Sequence, residues 1–362
     1  MGIQENIQEL EDRIAKTKYN KSTQNAIGLY KAQLAKMKDE VVRKASKGSK
    51  GEGYSVKKSG DGSVVLLGFP SVGKSTILNV LTDAKSEVAA YEFTTLTCIP
   101  GIMKYKHAKI QILDLPGIVH GAASGRGRGR EVLAVMRNAD LILMVIDGKK
   151  PEHHSALLSE IYDSGLRINQ RQPIIKIKRS TKGGINVGRT VKTDVDDQTI
   201  KSILREYRIN NADVVLRSNF TIDQFIDAVE GNKIYIPAVV AVNKSDTLTD
   251  AEIEKINKEI NPDLFISAQN KINIDPLKEL VFHRLNLMRL FLKETGKDAD
   301  MQEPLIIKTG ATIRDVCEKL HRDFITKFKY ARVWGPSSKF PGQIFKLDHV
   351  LKDTDTLEVH LR

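Results

Sequence analysis

The stretch Gly68–Ser75, GFPSVGKS, constrains the fold of this chain more than any other. It fits G-x-x-x-x-G-K-[ST]. It follows the apolar run SVVLL (63–67) and precedes the helix-forming run TILNVL (76–81). Strand, glycine loop and helix in that order let backbone amides face an anion at a helix N-terminus. Gly68 and Gly73 allow the loop to curl, and Pro70, Ser71, Val72 and Thr76 complete the cradle. Lys74 is placed to reach β- and γ-phosphates, and Ser75 to offer a hydroxyl to Mg²⁺. The loop alone does not separate ATP from GTP.

Asn243–Asp246, NKSD, makes that separation. It ends an apolar strand, on the sheet edge where α/β proteins bind ligands. A carboxylate at Asp246 accepts from the N1–H and the exocyclic amine of guanine. Adenine lacks that donor pair, would leave the carboxylate unpaired, and is rejected. Asn243 is expected to brace the loop, and the Lys244 stem to cover the base. The next strand ends in SAQ, where Ser267 and Ala268 bring a backbone N–H toward guanine O6.

Asp114–Gly117, DLPG, ends another strand. Asp114 is expected in the Mg²⁺ shell, and the Gly117 N–H at the γ-phosphate, whose presence it senses. Upstream, YEFTTLTCIPG offers Thr94 and Thr95, one of which closes over Mg²⁺. The spacing does not choose between them; Thr95 is carried as the candidate. Lys74, Thr95 and Gly117 are thus the groups expected to act on the transferred phosphate, with Ser75, Thr95 and Asp114 holding the metal.

Around these motifs the pattern is β-rich runs alternating with helical ones, which implies a parallel sheet covered on both faces. The runs are 63–69, Lys109–Gly117, Ala139–Gly148, Ile234–Asp246 and Asp263–Gln269; a helix is read across 275–291. Residues 1–60 read as a helical hairpin and linker. Ile3, Ile7, Leu10 and Ile14 form one seam, and Ile27, Tyr30, Leu34, Met37 and Val41 the other, with a polar break at Asn20–Asn25. Simple hairpin packing explains that seam, which leaves the Lys and Arg of the other face free for a partner. Residues 61–172 and 236–295 read as the two parts of the nucleotide domain, and 173–235 as an inserted α+β domain. Within the insert, Thr221 and Gln224 stand at capping-box spacing and Gly231 at a stop. Residues 296–362 read as a small α+β domain.

The net charge of +12 is unevenly spread. Residues 1–60 carry +6, 166–236 carry +5 and 304–362 carry +4, while all the others together carry −3. The excess lies outside the nucleotide motifs. That favours a polyanion touched by the appended parts, against the plainer alternative of solvated surface charge. No apolar run is long enough for a membrane span, and the N-terminus lacks a secretory pattern. Cys98 and Cys317 have no ligand spacing and read as reduced thiols. The expected location is the cytoplasm, with no membrane contact.

With its motifs in this order, the chain resembles the Obg-like GTPases, and within them the developmentally regulated GTP-binding proteins, from end to end. GFPSVGKST, YEFTTLTCIPG, LDLPGI, GRGRGRE, GGIN, EYRINNAD, YIPAVVAVNKSD and FKYARVWG carry the resemblance. It implies an α/β P-loop GTPase domain with an N-terminal helical hairpin, an inserted domain and a C-terminal TGS domain of β-grasp type. It also implies binding of GTP and GDP, GTP hydrolysis, association with ribosomes or rRNA, and a stabilising zinc-finger regulatory protein.

One position argues for slow intrinsic turnover. Many GTPases place Gln directly after DxxG to orient the attacking water; here it is Ile118, whose alkyl side chain cannot. The water must be held by other groups, a partner or a bound cation. Potassium is a candidate through the resemblance, although related potassium users carry Asn where this chain has Ser71. Ser124–Glu131, SGRGRGRE, is expected to form a mobile second switch whose Arg126, Arg128 and Arg130 meet a partner. The competing reading of the whole chain is a basic RNA-binding module in which GTP is mainly structural.

Overall fold

The computed structural model describes residues 3–46, 60–82, 99–114 and 135–362. The chain divides into two compact units. One holds the nucleotide motifs and the C-terminal strands; the other holds the N-terminal helices and the insert. Among the described residues no helix is long and apolar enough to cross a membrane.

The nucleotide unit is built on a six-stranded sheet. Its order is Leu264–Phe265, Ala238–Asn243, Leu141–Asp147, Gly62–Leu67, Ala108–Asp114, Ile99–Tyr105. All neighbours are parallel except the last pair, which is an antiparallel hairpin. Every residue of Gly62–Leu67 and Leu141–Asp147 is buried, as central parallel strands covered on both faces must be. The helices Lys74–Leu81 and Ile274–Arg284 cover the sheet, with Ile77, Leu78, Leu277 and Val281 in its core.

The C-terminal sheet has five strands, ordered Leu305–Lys308, Leu287–Leu292, Thr356–Leu361, Phe328–Trp334, Gln343–Phe345. The helix Ile313–Leu320 lies on one face and buries Ile313, Val316 and Cys317 against Met288, Leu290, Ala331 and Val333. Thr312 and Asp315 cap it reciprocally. Here the sequence reading needs correction. The helix read across 275–291 ends at Arg284, Asn286 turns left-handed at φ +52°, and Leu287–Leu292 is a strand. The C-terminal sheet therefore starts at Leu287, ahead of the boundary expected at 296. A short run such as LMRLFL satisfies helical and alternating patterns alike. The strand uses the alternation: Met288 and Leu290 face the C-terminal core, while Leu287 joins the core of the nucleotide sheet.

In the other unit, the strands Ile175–Arg179, Ala212–Leu216 and Ile185–Arg189 form a sheet in that order, with helices Asp197–Glu206 and Ile222–Glu230 closing its core. The paired strands Leu166–Ile168 and Ile234–Ile236 bring the two ends of the segment side by side. Arg167 and Asp227 form a buried two-bond ion pair at 2.6 and 2.8 Å.

The N-terminal hairpin consists of Ile3–Lys16 and Gln24–Ser46, turned by Asn20, whose Oδ1 accepts the Ser22 and Thr23 N–H groups at 3.0 Å. Packing between the two helices is only part of its role. Ala32 is fully buried in the core of the insert. Gly28 sits so close to it that a Cβ would lie 2.8 Å from Thr199 Cγ2. The cations left for a partner in the sequence reading are partly committed inside the chain: Lys31 pairs with Asp223 at 2.6 Å and Lys36 with Glu206 at 2.9 Å.

Candidate nucleotide site

Parallel strands point their C-terminal ends the same way, so the sheet gathers its motifs on one edge. Leu67 runs into the glycine loop, and Asp114, Asp147 and Asn243 each end a neighbouring strand. Register places Leu66 beside Asp114 and Asn243 beside Asp147.

The loop conformation needs its glycines. Gly73 has φ +96°, and a Cβ there would lie 2.4 Å from Asn243 Nδ2. At Gly68 a Cβ would lie 2.5 Å from the Val145 carbonyl oxygen. Ser71, an exposed residue, is also left-handed at φ +63°. Val72 is buried beneath the loop, whereas Pro70, Ser75 and Thr76 are exposed on it. The helix Lys74–Leu81 starts at Gly73 without a side-chain cap, which leaves first-turn amides for an anion. Lys74 is buried, and its Nζ donates to the carbonyls of Gly68 and Phe69 at 3.0 Å each. Burial pulls its pKa below the ordinary lysine value, with the Asp114 charge opposing. A phosphate would give an anionic hydrogen-bond partner to this ammonium, which among the described residues donates only to carbonyls.

Ser75 Oγ donates to Asp114 Oδ2 at 2.7 Å. A hydroxyl at a helix start and a carboxylate at a strand end, far apart in sequence, thus meet at one point.

Asn243 is nearly buried and joins three motifs. Its Nδ2 donates to the Val72 carbonyl at 2.9 Å, and its Oδ1 accepts the Ala268 N–H at 3.0 Å. The bracing role expected of it is the one its contacts perform. Lys244, left-handed at φ +62°, donates to the Ser71 carbonyl at 3.0 Å. Asp246 is exposed, and its carboxylate has no partner among the described residues, so it is open to a base. In the SAQ turn, the Ser267 N–H goes to the Ile272 carbonyl and the Ala268 N–H to Asn243. Ser267 Oγ accepts the Asn270 N–H at 3.2 Å. The Gln269 N–H has no hydrogen-bond partner among the described residues.

Sequence reasoning missed Asp147. Its Oδ2 lies 2.7 Å from Lys244 Nζ, and its Oδ1 accepts the Lys149 N–H at 3.0 Å. Burial opposes its ionisation, but the Lys244 ammonium and the Lys149 amide outweigh that and hold its carboxyl below the usual range. The signal was present: an acidic residue closes the apolar run LILMVID on the same sheet edge. Thr94, Thr95, Gly117, Ile118 and Ser124–Glu131 lie outside the described residues.

Comparison with known proteins identifies the family of the chain. A family model described as a 50S ribosome-binding GTPase matches residues 63–179. The C-terminal region of the MMR_HSR1 domain matches 182–287, and the TGS domain matches 288–361. An uncharacterized GTP-binding protein of Methanocaldococcus jannaschii is 52% identical over 368 residues, covering 100% of this chain and 94% of its own. The developmentally-regulated GTP-binding protein 1 homolog of Dictyostelium discoideum is 46% identical, covering 99% of both chains. The human developmentally-regulated GTP-binding protein 2 is 43% identical, again covering 99% of both. With a guanine-type nucleotide site, an inserted region and a TGS domain, the chain belongs to the family of developmentally regulated GTP-binding proteins.

Proposed function

We propose that this GTP-binding protein is a slow, Mg²⁺-dependent GTP hydrolase of the cytoplasm that associates with ribosomes and depends on outside help for turnover. The observation that carries the hydrolytic part is the meeting of Ser75 and Asp114 at 2.7 Å beside Lys74. Hydroxyl and carboxylate oxygens are the hard donors that Mg²⁺ takes, and two of them suit an ion that keeps water and phosphate oxygens as its other ligands. No cluster of three or more His, Cys, Asp or Glu suited to a metal occurs among the described residues, in keeping with a site completed by the nucleotide. When bound, Mg²⁺ neutralises charge developing on the phosphates.

The chain's own groups do the rest. Lys74 and the loop amides hold the phosphates in line and stabilise their charge. In this proposal Thr95, or its neighbour Thr94, would complete the metal shell and the Gly117 N–H would meet the γ-phosphate; these residues lie outside the described ones. Ile118 neither donates nor accepts a hydrogen bond, so the attacking water is held by a partner, or by a potassium ion near Ser71. A zinc-finger regulatory protein is the partner the resemblance implies. Single-turnover hydrolysis by the purified protein, alone and with ribosomes, tests this. Slow turnover that ribosomes accelerate supports it; fast turnover by the protein alone contradicts it.

A second reading has its own support. Lys176, Lys178, Arg179 and Lys182 of the insert are exposed, with no ion-pair partner among the described residues. In that reading the basic appendages bind RNA and GTP serves mainly to hold the fold.

A further inference from the structure

One aromatic side chain of the glycine loop is not required by the loop's own chemistry. Between Gly68 and Gly73 the motif asks for backbone amides, and the side chains of Pro70 and Ser71 are exposed. Phe69 is different. It is half-buried against the core of the nucleotide sheet, and its ring meets that of His153, with centroids 4.2 Å apart and planes inclined by 33°. The Phe69 carbonyl is also one of the two that hold the Lys74 ammonium, at 3.0 Å.

His153 reaches this place by a short, pinned path. The run leaves its strand at Asp147, which holds the Lys244 ammonium at 2.7 Å. The Gly148 N–H then donates to the Asn243 carbonyl at 3.0 Å, the Lys150 N–H to the Asp147 carbonyl at 2.9 Å, and the His153 N–H to the Lys150 carbonyl at 3.2 Å. Pro151 restricts the backbone between them. His153 opens the helix His153–Asp163, and Leu157, one turn on and on the same face, is fully buried. His153 Nδ1 is buried as well and has no hydrogen-bond partner among the described residues. A ring that is not held through that nitrogen is placed by its stacking.

We infer that His153 is a positioning residue for nucleotide binding: its ring fixes Phe69, and with it the carbonyl that directs Lys74 toward the β- and γ-phosphates. Backbone at a glycine loop is held by few side chains, so an aromatic anchor on the residue after Gly68 restrains the part of the loop nearest the ammonium. The same run touches the NKSD loop at its start and the glycine loop at its end, which gives the two halves of the site one support. The inference rests on the reading of Lys74 as a phosphate ligand. Binding is therefore measured rather than turnover, and Lys74→Ala serves as the reference.

The full-length parent, His153→Ala, His153→Phe and Lys74→Ala are titrated with a fluorescent, non-hydrolysable GTP analogue at fixed Mg²⁺. Melting temperatures are recorded alongside, and GTP and inosine triphosphate compete for each protein. His153→Ala should weaken binding about fivefold, and His153→Phe, which keeps a ring in the stack, should stay within about twofold of the parent. The preference for GTP over inosine triphosphate should be that of the parent in both, because the base end is untouched. Should His153→Ala melt well below the parent, His153→Leu fills the space without a ring and should show the same loss. Unchanged binding by the variants without a ring, or a Phe variant as weak as they are, overturns the inference. A lost base preference overturns the assignment to the phosphate end. If Lys74→Ala loses binding while His153→Ala keeps it, the inference alone fails. If Lys74→Ala binds as tightly as the parent, the reading of Lys74 falls and the inference with it.

Discussion

Lys244 Nζ lies 2.7 Å from Asp147 Oδ2 and 3.0 Å from the Ser71 carbonyl, so one ammonium ties the NKSD loop to the neighbouring strand and to the glycine loop. The stem of Lys244 can cover a base only if its head is held, and Asp147 is the charged group that holds it. Asp147→Asn keeps the shape and removes the charge. Lys244 is 40% exposed, so the loss is discounted to about 1 kcal/mol, or about fivefold. Release of GDP and of GTP should quicken by the same factor, measured by stopped-flow with fluorescent nucleotides. A change confined to GTP would place Asp147 in the phosphate chemistry instead.

Asp246 stands exposed and without a partner among the described residues, which suits a carboxylate reserved for the two donors of guanine. Asp246→Asn exchanges an acceptor for a donor. GTP affinity should fall about a hundredfold or more, and xanthosine triphosphate, which offers a carbonyl where guanine has its amine, should bind in its place. Calorimetric titration with both nucleotides checks this; unchanged GTP affinity would remove Asp246 from base recognition.

The buried pair Arg167–Asp227 predicts an asymmetry in stability. Arg167→Met strands a carboxylate in the interior and should cost about 3–5 kcal/mol in urea unfolding. Adding Asp227→Leu removes the stranded charge and should recover most of that loss. A double variant no more stable than the single one would show that the pair is needed for more than mutual neutralisation.

Glu279 accepts from Lys106 at 2.6 Å and from the Tyr105 hydroxyl, and these bonds lower its pKa to about 2. A carboxyl with a depressed folded pKa contributes stability above its unfolded value and loses it as pH falls toward the folded one. The melting temperature of Glu279→Gln should therefore lie below that of the parent at pH about 6, with the gap narrowing as pH drops below about 4.5. A gap constant across that range would mean the charge of Glu279 is irrelevant to it.

The nucleotide motifs were legible because each couples residue identity to a position at a strand end, and parallel strands deliver those ends to one edge. Asn243 illustrates this: a short amide after an apolar strand could be read as a brace, and it spans Val72 and Ala268. Packing between elements distant in sequence was not legible. Nothing in the seam of Gln24–Ser46 says that Ala32 belongs to the core of an insert more than 140 residues away, since a small apolar residue fits any close helix crossing. The strand Leu287–Leu292 was hidden because its run fits two periods, and only pairing with Leu305–Lys308 and Thr356–Leu361 decides between them. Asp147 escaped although its place at a strand end was visible, because only the fold pairs it with Lys244.

The proposed ribosome association should follow the bound nucleotide, if the γ-phosphate is what the DLPG segment senses. Co-sedimentation of the full-length protein with ribosomes in GTP, GDP and a non-hydrolysable GTP analogue tests it most directly. The account predicts that the analogue retains the most protein and GDP the least, with binding that weakens as salt rises. Equal binding in all three states would contradict it and leave the nucleotide a structural part of an RNA-binding chain.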